Sequence, residues 1–286
     1  MESPASPPPL PGKKKTNPWV IIGPVLGGIV LIALVASAAV TFQRMKQKRA
    51  AANAAFSEMQ NAASDEREKM ADSIQKGETS GSDEAIGRMK QQLEKSAAHM
   101  SRDDANAARA LAVYLARMQE KAQAYEAALK RMLDADVLAF NFSDRAMIEP
   151  HRKLIVDFAA ANDEMTDTVL RAEELARAEL VTAKVPERTI EATMNGFNKG
   201  RVQRQLQLRI REYDHTLGEA GLATLDLLDK NWGRWSRDET SGQLRFQDDA
   251  TLDTFNGLMT KIQTAADEQT RTQQELAVQM RAMGRP

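Results

Sequence analysis

The chain has 286 residues, with 39 Lys and Arg against 40 Asp and Glu, and it contains no cysteine. Because nucleic-acid-binding proteins usually carry a strong basic excess, this balance argues against nucleic acid as a partner. The absence of cysteine excludes disulfides, thiolate metal sites and cysteine nucleophiles.

The first 18 residues form a tail that is rich in Pro, Ser and Lys. A segment of this composition cannot bury a hydrophobic core, so residues 1–18 are predicted to be disordered and extended. Three consecutive lysines, Lys13 to Lys15, lie near the end of the tail, shortly before the apolar run.

Residues 19–42 read WVIIGPVLGGIVLIALVASAAVTF and carry no charge. As a helix this run would cover roughly 36 Å, enough to cross the ~30 Å hydrocarbon core of a bilayer. The run therefore predicts a single transmembrane helix, with the lipid bilayer as a partner. A cleaved signal peptide is the alternative, since Ala36-Ser37-Ala38 offers a small-residue cleavage site. The run is longer than a signal peptide needs, which favours a retained signal anchor and leaves cleavage after Ala38 open.

Gly23 and Gly27 stand four residues apart within this run. Small residues at this spacing let two membrane helices approach closely, so the pair predicts a dimer face and a homodimer. The alternative is that glycine is simply more frequent in membrane helices than in soluble ones.

Basic residues flank the apolar run on both sides in nearly equal number, so they do not decide its orientation. We favour a cytoplasmic N-terminus with the large C-terminal domain outside the cytoplasm, and the inverted arrangement is the alternative. Four basic residues on the C-terminal side are expected to contact anionic lipid head groups. They are Arg44, Lys46, Lys48 and Arg49.

The rest of the chain is almost free of helix breakers. No glycine occurs between Gly87 and Gly196, and Pro150 and Pro186 are the internal prolines after Pro24. Together with the abundance of Ala, Leu, Glu, Lys, Arg and Gln, this predicts an all-α fold. We expect the transmembrane helix to continue into a helical stalk over 43–76, followed by an antiparallel, coiled-coil-like bundle of long helices over 83–284.

Apolar residues recur at alternating steps of three and four, the pattern of packed helix bundles. The clearest stripe is Ala108, Leu111, Leu115, Met118, Ala122, Tyr125, Leu129 and Met132. Similar stripes run from Ile155 to Ala176, from Val202 to Leu217 and from Leu252 to Met280, with Asn162, Gln269 and Gln273 as polar members.

Glycine, proline and capping residues predict where the helices begin and end. The predicted boundaries are a start at Ser82-Asp83, a break near Ser101 to Asp104, a loop over Asn141 to Asp144, a short helix from Pro186 to about Gly200, a long helix to about Lys230 and a last helix capped by Asp248 or Asp249.

Residues 232–246 interrupt the helical pattern and predict a short β-hairpin or ordered loop between the last two helices. Trp232, Trp235 and Phe246 in this segment are candidates for a partner- or ligand-binding surface. The alternative is that these rings cap the open end of the bundle core.

The sequence offers little catalytic chemistry. Glu212 and His215 form one E-x-x-H pair, but a di-iron bundle needs two such pairs and further glutamates. The acids and the histidine around the loop at 134–151 match no calcium-loop pattern, and no nucleotide-binding or hydrolase motif is present. We therefore expect no enzyme, no metal and no cofactor. The basic run from Lys199 to Arg211 is predicted to be a solvated helix face, with an anionic lipid surface or an acidic partner as the alternative role.

These observations favour a non-catalytic, single-pass, membrane-anchored helical bundle that acts through protein–protein interaction. It would serve as a scaffold or an accessory subunit of an envelope complex, with other membrane or envelope proteins as partners. The alternative is a small-ligand sensor or binding module, with a pocket inside the bundle lined by Asn162, Gln269 and Gln273.

Overall fold

The computed structural model describes residues 61, 64–66, 68–69, 71–72, 82–98, 100–238 and 243–284. The predicted tail, the apolar run at 19–42 and the first part of the stalk lie outside these residues. Within the described part of the chain, no helix is both long enough and apolar enough to cross a membrane.

The described residues are mostly helical, with one small antiparallel hairpin, as the sequence predicts. The elements in chain order are α1 (Ser82–Ala97), α2 (Arg102–Asp134), two short 3-10 helices (Val137–Ala139 and Arg145–Met147), α3 (Ile148–Leu170), α4 (Ala172–Thr182), α5 (Glu187–Lys199), α6 (Arg201–Lys230), β1 (Trp235–Arg237), β2 (Leu244–Phe246) and α7 (Asp249–Gly284). The described positions between 61 and 72 are also helical.

Local side-chain chemistry sets several of the helix starts. The hydroxyl of Ser101 accepts a hydrogen bond from the backbone N–H of Asp104, and Asp248 accepts one from Thr251 at 2.8 Å. Pro186 immediately precedes α5, where its missing N–H costs no helical hydrogen bond. These three helix starts agree with the boundaries predicted from the sequence.

One break was not expected from the sequence. Arg171 separates α3 from α4, although neither glycine nor proline stands there. The apolar spacing runs on through Val169, Ala172 and Ala176, all three of which are buried. Because the buried stripe continues across the break, the spacing alone does not reveal it.

The helices pack side by side in antiparallel fashion. Helix α2 lies between α1 and α3, and α6 lies between α3 and α7. The rings of Tyr125 and Phe158 meet in the core with their centroids 5.5 Å apart. Every member of the predicted α2 stripe is buried. Val202 is an exception to the predicted α6 stripe: it is 49% exposed in the first turn, where its neighbour Gln203 takes the buried position.

The two ends of the α6–α7 pair differ. At one end the hairpin joins the helices, with Trp235 opposite Phe246 in the strand pairing. Toward the other end, Ala71 packs into a cluster with residues of both helices, which are Leu206, Ile210, Leu276, Ala277 and Met280. A helix rises about 1.5 Å per residue, so Ile210 and Lys230 are about 30 Å apart along α6. The N-terminal chain thus reaches the bundle far from the hairpin.

Candidate functional site

A cluster of polar side chains occupies the core where α2, α3, α6 and α7 meet. Its members, called the buried polar cluster below, are Tyr125, Asn162, Arg211, Asp214 and Gln269. Arg211 and Asp214 form an ion pair at 2.9 Å, with side chains only 2% and 0% exposed.

The carboxylate of Asp214 is the centre of the cluster. It accepts hydrogen bonds from the Tyr125 hydroxyl at 3.0 Å and from Nε2 of Gln269 at 2.6 Å. Arg211 donates from Nη1 to the amide oxygen of Asn162 at 3.3 Å, and the Asn162 amide donates to the backbone carbonyl of Arg211 at 3.0 Å. The cluster therefore joins four helices through direct contacts.

Burial dominates the electrostatics of these groups. Loss of solvent raises the pKa of the Asp214 carboxyl above its ordinary value, although Arg211 and the two hydrogen-bond donors oppose this rise. Burial likewise raises the pKa of the Tyr125 hydroxyl. Burying this ion pair costs the solvation free energy of both charges. The contacts of Arg211 and Asp214 offset part of that cost, and they form only when the helices are aligned as observed.

The prediction that the charged residues of the run from Lys199 to Arg211 are exposed to solvent is wrong for two of its arginines. Arg211 is buried, and the Arg204 side chain is only 12% exposed and pairs with Glu173 of α4. Arg211 follows Gln207 by four residues on the inner side of α6, so it points into the core. Its ion-pair partner Asp214 lies three residues further along the same helix. Its other partners, Tyr125 and Asn162, lie on α2 and α3, where spacing along one helix cannot reveal them.

A few buried polar atoms have no hydrogen-bond partner among the described residues. Among them are the Tyr114 hydroxyl, Nη1 of Arg204, Nε of Arg211 and Oε1 of Gln269. Tyr114 and Arg204 are close enough for the arginine to oppose the rise that burial produces in the tyrosine pKa. An unsatisfied buried polar atom costs free energy.

Aromatic side chains gather at the hairpin end of the bundle. The rings of Trp232 and Trp235 meet edge to face at 5.1 Å, and those of Phe246 and Phe255 lie 5.1 Å apart. Indole Nε1 of Trp235 donates to the backbone carbonyl of Leu228 at 2.9 Å. We call these four rings the aromatic end; all are half-buried and pack against the core.

The structure thus brings together the three aromatic residues singled out in the sequence and adds a fourth. Phe255 belongs to the apolar stripe of α7, and its spacing assigned it to the core. It is only half-buried, as are its neighbours Leu252 and Met259, because α7 packs mainly on α6 and β2 at this end.

The E-x-x-H pair on α6 faces outward. Glu212 is exposed, and Nε2 of the exposed His215 lies 3.2 Å from Glu219. Asp214, between them in sequence, is the residue that enters the core.

The charged groups of the α2–α3 loop have separate contacts. Lys130 pairs with Asp134 at 2.6 Å, Asp144 accepts from the backbone of Ala146, and His151 contacts the Met147 carbonyl. Across the whole described part of the chain, no three His, Cys, Asp or Glu side chains are grouped so that they could hold a metal ion.

The sites predicted at the N-terminus lie outside the described residues and stay predictions. They are the dimer face at Gly23 and Gly27 and the head-group contacts of Arg44, Lys46, Lys48 and Arg49. No protein-family model, no curated protein and no solved structure matches this chain.

Proposed function

We propose that this protein is a non-catalytic helical bundle, anchored in a membrane by a single span, that acts by binding other proteins. It would be a scaffold or an accessory subunit of an envelope complex. The observation that carries the proposal is the aromatic end, a half-exposed group of tryptophan and phenylalanine rings far from the point where the N-terminal chain meets the bundle.

The composition of the aromatic end is that of a protein interface. Trp, Phe and Arg are enriched in the cores of protein interfaces, and Trp and Arg are among the residues that contribute most binding energy. The same segment of the chain, 232–246, carries three exposed arginines, Arg234, Arg237 and Arg245. A partner that covered Trp232 and Phe246 would bury apolar surface that the fold leaves half in water.

The membrane part of the proposal is supported by the sequence. The uncharged run at 19–42 has the length and composition of a transmembrane helix, and basic residues follow it. In our preferred orientation the N-terminus is cytoplasmic, and Gly23 and Gly27 provide a face for a homodimer.

The contacts within the core favour an interaction protein over a ligand sensor. Asn162 and Gln269, which a ligand pocket would need, already bind Arg211 and Asp214. Buried polar groups of this kind can specify helix register, although they contribute little net stability.

A small-ligand module is the second candidate, and the unpartnered atoms of Tyr114 and Arg204 favour it. A small carboxylate could accept hydrogen bonds from both groups. Calorimetric titration of the purified chain with acetate and with free amino acids tests this candidate. Binding that is lost in Tyr114→Phe would support it, whereas the absence of heat from every compound would exclude ligands of this class.

Co-purification from detergent-solubilised membranes after mild crosslinking tests the proposed function. We expect discrete partners with the native chain, and at least about a tenfold loss of them in Trp232→Ala/Phe246→Ala. Leu170→Ala is the matched control, because Leu170 is a 63% exposed apolar residue away from the aromatic end. Equal recovery with both variants would contradict the proposal.

Membrane topology can be tested separately. Since the chain has no cysteine, single cysteines introduced at residue 5 and at the exposed residue Ser236 can be labelled with a membrane-impermeant maleimide in intact cells. The preferred orientation predicts labelling at 236 and not at 5. Recovery of a shortened, membrane-free protein would contradict the retained anchor.

A further inference from the structure

The buried polar cluster joins α6 to α7 through Asp214 and Gln269, and two atoms beside that contact have no hydrogen-bond partner within the described part of the chain. They are Nε of Arg211 and Oε1 of Gln269. Arg211 is only 2% exposed and Gln269 only 1%. Because bulk solvent does not reach these atoms, each needs a partner inside the core.

The guanidinium group of Arg211 is held by three neighbours. Nη2 pairs with Asp214 at 2.9 Å, Nη1 donates to Asn162 at 3.3 Å, and the group lies over the Tyr125 ring at 4.2 Å from its centroid. A guanidinium group is planar, so its Nε–H bond lies in the plane of the group and not toward the ring. Nε is therefore a buried donor that none of these three neighbours satisfies.

The amide group of Gln269 is held at its nitrogen. Nε2 donates to Oδ1 of Asp214 at 2.6 Å. An ionised carboxylate only accepts hydrogen bonds, so the amide has to present its nitrogen to Asp214, and Oε1 stays a buried acceptor.

The unpartnered donor and the unpartnered acceptor lie around the same carboxylate. Nε of Arg211 is separated by one carbon from the nitrogen that contacts Asp214, and so is Oε1 of Gln269. Given ordinary bond lengths, each atom lies within about 5 Å of an Asp214 oxygen. One small molecule beside Asp214 can therefore serve both atoms.

The chemical character of the two atoms restricts what that molecule can be. The nitrogen can only donate and the oxygen can only accept. The charge of Arg211 repels a cation, and an anion has no hydrogen to donate to Oε1. A small neutral molecule that accepts one hydrogen bond and donates another meets both requirements. Water does so, and buried water molecules bind in this way to polar groups that the protein leaves unsatisfied.

We infer that one ordered water molecule is an integral part of the buried polar cluster. It accepts a hydrogen bond from Nε of Arg211 and donates one to Oε1 of Gln269. It thereby adds a second connection between α6 and α7 beside the direct contact of Gln269 with Asp214, and it gives every nitrogen of Arg211 a partner. Such a bridge offsets part of the solvation that the arginine loses on burial.

Nuclear magnetic resonance of the full-length protein in detergent micelles, labelled with 15N in arginine, tests this inference. The Hε signal of Arg211 is identified by its loss in Arg211→Lys, which keeps a cation beside Asp214. We expect an Overhauser contact between this hydrogen and water. Recording the experiment in the rotating frame separates such a contact from chemical exchange of Hε with the solvent.

Arg145 is the matched control in the same spectrum. Its Nε donates to Asp229 at 2.6 Å in an exposed ion pair. Its Hε is occupied by a protein acceptor at the surface, so it should show no contact with a bound water molecule.

A crystal structure of the full-length protein at about 2 Å resolution or better provides a second measurement that needs no variant. We expect electron density for one water molecule within about 3.2 Å of both Nε of Arg211 and Oε1 of Gln269.

Three outcomes would overturn the inference. The first is an Arg211 Hε signal without a water contact. The second is a crystal structure in which Nε and Oε1 bind protein atoms or each other. The third is a separate water molecule at each atom, which would contradict a shared site. None of these results depends on a membrane or a partner protein, so the inference and the proposed function can fail independently.

Discussion

The guanidinium carbon of Arg211 lies 4.2 Å from the centroid of the Tyr125 ring, and both side chains are almost completely buried. A cation over an aromatic face is attracted by the electrons of the ring, and the attraction is stronger away from water. The Tyr125 hydroxyl also donates to Asp214, the ion-pair partner of Arg211. The three side chains therefore hold one another in place. Their contacts can form only when α2 and α6 are aligned as they are in the structure.

The first prediction concerns the loss of the buried cation. Arg211→Met leaves Asp214 buried without its ion-pair partner, so we expect it to lower the free energy of unfolding by about 3–5 kcal/mol. Denaturant unfolding followed by circular dichroism measures the change. Arg211→Met/Asp214→Asn removes both charges while keeping an acceptor for Tyr125 and Gln269, and it should recover a large part of the loss. A single variant within about 1 kcal/mol of the native protein would contradict the assigned role.

The second prediction concerns pH. Burial raises the pKa of Asp214 in the folded state above its unfolded value. As pH falls, the Asp214 carboxyl is therefore protonated in the folded protein before it is protonated in the unfolded chain. Its contribution to the free energy of unfolding is present at low pH and is lost as pH rises through the folded-state pKa.

The free energies of unfolding of the native protein and of Asp214→Asn, measured at pH 7 and near pH 4, test the direction of this pH dependence. The native protein should gain stability relative to the variant on acidification. Asp253→Asn, at an exposed position on α7, should run parallel to the native protein at both pH values. A relative loss of native stability at the lower pH would contradict the raised pKa.

The third prediction compares two helical glycines. A methyl group added at the exposed Gly257 would meet no atom within 4 Å, so Gly257→Ala should stabilise α7 by roughly 0.5–1 kcal/mol. At Gly221 the same methyl group would come within 3.0 Å of Ile155 and of Leu138. Gly221→Ala should therefore destabilise the bundle by about 1–3 kcal/mol. Thermal unfolding measures both, and equal melting temperatures would show that the α3–α6 contact is looser than described.

The fourth prediction concerns the attachment of the hairpin. Trp235→Phe keeps an aromatic ring but removes the hydrogen bond to the Leu228 carbonyl, so it should cost about 1 kcal/mol. Trp232→Phe is the control, since the contact of Trp232 with Trp235 is an edge-to-face contact between rings. Chemical unfolding of both variants provides the measurement. A larger loss in Trp232→Phe than in Trp235→Phe would contradict the assigned hydrogen bond.

The sequence predicted the helical fold and most of its boundaries because those features depend on neighbouring residues. Ser101, Pro186 and Asp248 act within one helical turn, and their effect can be recognised locally. The α2 stripe is regular because the inner side of that helix is lined by apolar residues along its whole length. Neither glycine nor proline stands at Arg171, so the break there was not predicted.

The buried polar cluster was not predicted, since all its contacts except the pair of Arg211 with Asp214 join distant parts of the chain. Asn162 and Gln269 were recognised as polar members of apolar stripes, and both are buried. Arg211 was assigned to solvent because the helical spacing places most of the apolar residues of that run inward and leaves its charged residues for the outer face. Its partners Tyr125 and Asn162 lie on α2 and α3, and only the folded arrangement brings them to α6.

Site-specific photo-crosslinking from the aromatic end tests the central claim most directly. A photoreactive phenylalanine analogue replaces Trp232 in the full-length protein, and the same analogue at Leu170 is the control. Irradiation of intact membranes should yield a discrete protein adduct from position 232 and none from position 170. The absence of an adduct at 232, or the same adducts from both positions, would contradict an interaction protein that binds through its aromatic end.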